Sequence, residues 1–233
     1  MVFESSAQNN SVIEYSNSCW ICDFSRLDVL LAEQNGSVVG RPWLTLFIDV
    51  YSRCVMGFHL GFEQPNAQVA LQALRHGILP KYYDSQYNLH CEWATYGIPE
   101  RIYIDGGRSF NFYEFQWKAL QLRIVVDELQ QVDELQQLSL KSAIERCFST
   151  FNRELFSYLP GYVVSNLQIG GGEAAANTVV LLLKDLEEIL VRYIVENYNQ
   201  QIDPRFPNQT RQQRWEAGLS SSPQIIQEQE LDF

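Results

Sequence analysis

The chain has 233 residues, 46% of them hydrophobic and 19% charged, and its 17 basic and 28 acidic side chains give a net charge of -11. That composition is ordinary for a globular protein with a sizeable core, one large domain or a domain plus an appendage. The acidic balance excludes holding nucleic acid by bulk attraction, which needs the opposite sign. Apolar runs such as residues 178–183 fall far short of the roughly 20 residues a membrane helix needs. The N-terminus, MVFESSAQNNSVIEYSNS, lacks the basic and apolar halves of a signal peptide, so no membrane association and a cytoplasmic location are expected.

From residue 18 to 60 the sequence is rich in aromatic and β-branched residues broken by turn signals. CWICDF, PWLTLFIDV and CVMGFHLGF read as three strands joined by short connections, an antiparallel meander. Cys19 and Cys22 form a CxxC, but His59, His76, His90, Cys54, Cys91 and Cys147 offer no second ligand pair at zinc spacing. Five cysteines, an odd number, also argue against a disulfide framework, so buried, reduced cysteines are expected. PNAQVALQALRHGIL follows with helical spacing of its apolar residues. Next come RIYID as a short strand, NFYEFQWKALQL as a helix, RIVV as a fifth strand, and helices thereafter. The order predicts an α/β sandwich around a mixed five-stranded sheet. SAIERCFSTFNRELFSYL reads as an amphipathic helix ending at Leu159 before Pro160, and LLLKDLEEILVRYIVENYNQ as the last long helix. The expected organisation is a linker over 1–17, a core over 18–165, a helical extension over 166–219 after a glycine-rich linker, and a frayed polar tail over 220–233.

Three carboxylates draw attention. Asp105 ends an apolar strand beside Gly106 and Gly107, Asp23 lies inside the first strand where an uncompensated charge is expensive, and Glu145 opens the long amphipathic helix. Each has a plain structural alternative. Asp105-Gly106 is a common turn dipeptide, Ser142-x-x-Glu145 fits a helix capping box, and Asp23 can face solvent from a half-exposed strand. Asp28 and Asp49 compete for the same roles.

WICDFSRLDVLL, RPWLTLFIDVYSRCVMGFHLGFEQPN, YGIPERIYIDGGRSF, AIERCFSTFNRELFSYLPGY and RYIVENYNQQIDPRFPNQTRQQRWEAGL follow one another as in the catalytic cores of DDE transposases and retroviral-type integrases. Over roughly residues 20–219 the chain most resembles TnsB-like transposases, with phage Mu transposase more distant. The resemblance implies an RNase H-like fold in which Asp23, Asp105 and Glu145 are catalytic and bind Mg²⁺ or Mn²⁺, two ions, through hard oxygen ligands. It further implies cleavage at transposon DNA ends, strand transfer of the 3′-hydroxyl into target DNA, a homo-oligomer on DNA, regulator proteins as partners, and a bacterial, nucleoid-associated setting. Relatives carry DNA-binding domains before the core and a small barrel after it, so the chain reads as a fragment, a decayed copy or one piece of a split gene. A non-catalytic binding module and a stand-alone RNase H-like nuclease are the rival readings.

Residues 126–131 and 132–137 both read VDELQQ. Forty positions separate Asp105 from Glu145, and removing one copy leaves 34, the family's mid-thirties spacing. A tandem duplication is inferred. Val126, Leu129, Val132, Leu135 and Leu138 recur every third residue, so the duplicated stretch is expected to extend the following helix and to displace Glu145. Arg108, Arg205, Arg211 and Arg214 are candidate phosphate contacts, the last three set against a solvated-surface role. Trp43, Trp93, Trp117 and Trp215 read as packing aromatics.

Overall fold

The computed structural model describes residues 13–105, 112–163 and 181–231. Its core is a five-stranded sheet built from β1 (Cys19–Arg26), β4 (Trp43–Asp49), β5 (Val55–Gly61), β6 (Arg101–Ile104) and β7 (Val125–Glu128), in the order β5-β4-β1-β6-β7. A two-stranded ribbon, β2 (Leu31–Ala32) with β3 (Val38–Gly40), decorates the β1–β4 connection. β1 pairs antiparallel with β4, and β4 with β5, as the meander predicts. β6 pairs parallel with β1, and β7 parallel with β6. Parallel neighbours need crossovers, and α1 (Ala67–Ile78) and α2 (Phe112–Gln121) supply them. This mixed sheet with the first strand at its centre is the RNase H-like arrangement.

Alternation along the strands feeds two cores. Trp20, Cys22, Phe47, Ile102 and Ile104 face α1 and α2. Cys19, Ile21, Leu46, Ile48 and Tyr103 face the opposite layer, made by α3 (Glu134–Glu154) and α4 (Leu183–Arg192). Cys19 and Cys22 thus point to opposite faces, and the CxxC cannot chelate. All five cysteines are free; Cys91 is exposed and the other four are buried. α1 packs so tightly on β5 that a Cβ on Gly57 would stand 2.3 Å from the Gly77 backbone nitrogen.

The last helices belong to the same body. α4 runs into a π-helical turn over Tyr193–Tyr198, with the Asn199 amide bonded five residues back to the Ile194 carbonyl at 2.9 Å. Asn199 is buried, and its side chain meets the edge strand β5 as a strand backbone would. Its Oδ1 accepts from the Val55 N–H at 3.0 Å and its Nδ2 donates to the Val55 carbonyl at 3.3 Å. The free edge of the sheet is covered at that point. The tail is not frayed as its polarity suggested: Ile226 and Leu231 are buried in the α1 and α2 core, and Arg75 binds the Leu231 carbonyl at 3.1 Å. Trp93 and Trp215 are buried as expected, but Trp117 on α2 is 66% exposed.

The duplicated hexapeptide adopts two structures. In the first copy Val126 pairs with Ile102 and Asp127 with Tyr103 in the β6–β7 ladder, the Asp127 carboxylate forms an ion pair with Arg101, and Leu129 to Gln131 form a 3-10 turn. In the second copy Asp133 caps α3, accepting from the Gln136 N–H at 3.0 Å, and the helix begins at Glu134. The expected helix across both copies is corrected, because the first copy is drawn into the sheet by its neighbour β6. α3 also ends at Glu154 rather than Leu159, giving way to a 3-10 turn over Phe156–Tyr158. Context decides here, since local propensity is identical by construction. The equivalent leucines should therefore differ sharply: Leu129 is 1% exposed and Leu135 80%. Leu129→Ala should destabilise by about 2–5 kcal/mol and Leu135→Ala by less than about 0.5 kcal/mol in urea unfolding. Equal effects would contradict the two-structure assignment.

Candidate active site

β1 and β6 set the site because they run parallel in register. Cys22 pairs with Ile104, and one step further the Asp105 N–H donates to the Cys22 carbonyl at 3.4 Å. Asp23 and Asp105 therefore sit abreast on strands about 4.8 Å apart. By alternation Asp23 follows Cys19 and Ile21, and Asp105 follows Tyr103, so both carboxylates point to the α3 face. Gly106, Gly107 and Arg108 lie outside the described residues.

α3 lies over that face, held by Leu140, Ala143, Ile144, Cys147 and Phe151. Lys141 and Glu145 are one turn apart on it, and both are exposed. The Lys141 ammonium reaches back to the sheet, 3.2 Å from Asp105 Oδ2. Ser142 lies two turns inside the helix, its hydroxyl donating to the Ser139 carbonyl at 3.0 Å. The capping-box alternative for Glu145 is thereby removed. The competing aspartates are removed as well. Asp28 pairs with Arg41 beyond the end of β1. Asp49 is fully buried near the other end of β1, accepting from the Asn17 N–H at 2.9 Å, the Ser52 N–H at 2.7 Å and the Ser52 hydroxyl at 2.5 Å.

Electrostatics bind the three acids into one system. Burial pushes the Asp23 carboxyl up to about 6; its bond from the Phe24 N–H, at 2.7 Å, acts against this, Asp105 adds to the rise, Lys141 opposes it, and Glu145 adds again. Lys141 is raised, first by its hydrogen bond to Asp105 and then by the charges of Asp105, Glu145 and Asp23. Three carboxylates facing one ammonium leave two negative charges in excess. Among the described residues, no three His, Cys, Asp or Glu side chains stand close enough together to hold a metal ion. The arrangement is an aspartate pair with Glu145 within Coulombic reach. Its oxygen-only donors and excess negative charge fit a hard divalent cation.

The other sequence candidates have internal work. Arg205 grips Asp203 through Nε at 3.0 Å and Nη2 at 2.6 Å. Arg211 is 8% exposed, bonds the Tyr198 carbonyl at 2.8 Å and lies 4.1 Å over the Tyr198 ring. Arg214 bonds the Tyr51 carbonyl at 2.9 Å and stacks between Tyr51 and Phe206. A solvated-surface role is therefore wrong for Arg211, and Arg214 is a clamp. Lys141 was missed by sequence reasoning, although its position four residues before Glu145 is the signal that finds it.

The raised Asp23 carboxyl makes a signed prediction. The folded state holds this proton more tightly than the unfolded state, whose Asp titrates near 3.9. Ionisation thus removes stability as pH rises from about 4 to about 6, and the whole penalty persists above that window. Asp23→Asn should unfold later than wild type at pH 7–8, by about 1–3 kcal/mol, with the gap closing below pH 4. A pH-independent difference between the two proteins would refute this.

Residues 21–161 match the family model described as the TnsB C-terminal domain. The chain is 30% identical over 184 residues to the transposase for transposon Tn552 of Staphylococcus aureus, covering 79% of this chain and 34% of that protein. It is 24% identical over 229 residues to the transposon Tn7 transposition protein TnsB of Escherichia coli, covering 90% and 32%. The chain thus spans about a third of the length of these relatives. Among solved structures, the HTLV-2 integrase catalytic core domain in complex with magnesium aligns at TM-score 0.46 and 15% identity, covering 86% of this chain and 97% of that one. The BIV integrase catalytic core aligns at 0.48 and 10%, covering 86% and 95%. With more than half of its length matching the family model, the chain belongs to the TnsB C-terminal domain family of TnsB-like transposases.

Proposed function

We propose that this chain is the catalytic core of a DNA transposase, acting as an oligomer on DNA to cleave transposon ends and transfer the 3′-hydroxyl into target DNA. The observation that carries the reading is the abreast placement of Asp23 and Asp105 on parallel strands, facing the helix that bears Glu145. Asp23 and Asp105 would hold Mg²⁺ or Mn²⁺, with Glu145 as the third ligand from α3. Bound divalent ions supply Lewis-acid activation of the attacking oxygen and neutralise charge on the leaving oxygen of an in-line displacement. The sheet's contribution is rigidity: the two aspartates sit on a hydrogen-bonded ladder that fixes their separation. Glu145 stands on an exposed helical turn within Coulombic reach of Asp23. Lys141 orients one oxygen of Asp105 and offsets part of the repulsion, and it competes with any metal for that oxygen.

The competition by Lys141, and the lack of a three-ligand cluster among the described residues, favour a second reading, a binding module that keeps the fold without catalysis. Calorimetry with Mn²⁺ separates the two. Catalysis predicts uptake by wild type, its loss in Asp23→Asn and Asp105→Asn, and weakening on the order of tenfold, about 1.4 kcal/mol, in Glu145→Gln. Lys141→Met should tighten Mn²⁺ by up to about fivefold, an exposed ion pair contributing at most about 1 kcal/mol. No uptake by wild type or by Lys141→Met would leave the binding module standing. Strand transfer from pre-cleaved DNA ends should follow the same order of variants.

A further inference from the structure

The two copies of the hexapeptide converge on one residue, Tyr103. In the first copy the backbone of Asp127 pairs with Tyr103 in the β6–β7 ladder. In the second copy Gln136 Nε2 donates to the Tyr103 hydroxyl at 3.1 Å. Gln130, its counterpart in the first copy, sits exposed in the 3-10 turn, so the role belongs to the position and not to the letter. Tyr103 is 5% exposed, lies two residues before Asp105 on β6, and shares with it the face that looks toward α3.

Two rungs therefore join α3 to β6: Gln136 to Tyr103, and Lys141 to Asp105 at 3.2 Å. Two strand residues rise about 6.6 Å and five helix residues about 7.5 Å, so the rungs agree to about 1 Å when helix and strand advance in the same direction. A slip of α3 by one residue moves its side chains about 1.5 Å along the axis and about 100° around it, and neither bond survives that. The apolar contacts of α3 discriminate less well. Leu140, Ala143 and Cys147 continue the stripe that Gln136 opens, and apolar burial has no direction, whereas a hydrogen bond holds only over a narrow range of distance and angle.

We propose that Gln136 is a positioning residue: through the Tyr103 hydroxyl it sets the register of α3 along β6, and with it the place of Lys141 and Glu145 relative to the aspartate pair. The register is a property of the metal-free fold, while its use in catalysis rests on the transposase reading. Of the two rungs this is the one that lasts. Lys141 is exposed and its ammonium gives way to a cation held by Asp105, whereas Gln136 is half-buried and uncharged and keeps its bond when Lys141 leaves.

The test places nitroxide labels on Ser149→Cys of α3 and Gln121→Cys of α2, both exposed positions, in a Cys91→Ser background whose other cysteines are buried. Their separation is measured by pulsed electron spin resonance without metal. With Gln136 and Tyr103 intact one narrow distance is expected. Gln136→Leu, close in volume, and Tyr103→Phe, which deletes only the hydroxyl, should shift or broaden it by about 1.5 Å or more. Gln136→Glu, whose carboxylate accepts from the tyrosine hydroxyl, should restore it. Circular dichroism verifies each fold, and Tyr103→Phe decides alone if Gln136→Leu does not fold. A bond that only adds stability would lower the unfolding midpoint of both variants and leave the distance unchanged, and that result overturns the proposal. Strand transfer from pre-cleaved DNA ends is the second arm. Gln136→Leu should cut kcat about ten- to a hundredfold with KM for DNA unchanged, the scale set by a displacement of about 1 Å, and Gln136→Glu should recover it. A shifted distance in a chain whose wild type transfers no strand would refute the catalytic reading and leave the register standing; an unchanged distance refutes the register whether or not the wild type is active.

Discussion

The constraint on which the rest depends is the parallel pairing of β1 with β6. Parallel in-register strands carry neighbouring side chains to the same face, so two aspartates one step past Cys22 and Ile104 have no choice but to stand together. Burial, with the Asp105 charge adding to it, opposes ionisation, so the Asp23 carboxyl is pushed up to about 6, above the ordinary carboxylate range. The sheet tolerates the arrangement because it is anchored on both faces, by Trp20, Phe47 and Phe115 on one side and by Ile21, Ile144 and Phe151 on the other. A destabilising pair held by a well-packed scaffold is what the proposed catalytic reading expects of its site.

Much of this was legible in the sequence because alternation and turn residues are local. The three-strand meander, α1 and the short strand ending at Asp105 follow from residue order alone. The strand after α2 was displaced by two residues because Arg123 takes a left-handed conformation, φ 61, and turns the chain before Val125 can pair. The tail was misjudged since its few apolar residues, Ile226 and Leu231, find a groove that exists only once α1 is folded. The sequence names Asp23, Asp105 and Glu145 as candidates and leaves Asp28 and Asp49 as rivals, and those two are set apart only by seeing Arg41 and Ser52 beside them.

The hexapeptide duplication shows the limit of local reasoning most clearly. Identical letters gave a strand end and a helix start, one leucine buried and its twin exposed. The consequence for the site is a helix that begins about three turns before Glu145 and brings Lys141 onto Asp105. Arg146 and Arg153 lie on the flank of the same helix away from Lys141. α3 thus carries an acid, a counter-ion and a basic flank within one short stretch of sequence.

The most direct measurement is a crystal structure with Mn²⁺ soaked in and located by anomalous scattering. The account predicts manganese between Asp23 and Asp105, Lys141 withdrawn from Asp105 Oδ2, and Glu145 turned toward the ion. Manganese absent from this position, with Lys141 still bound to Asp105 and Glu145 pointing to solvent, would contradict it.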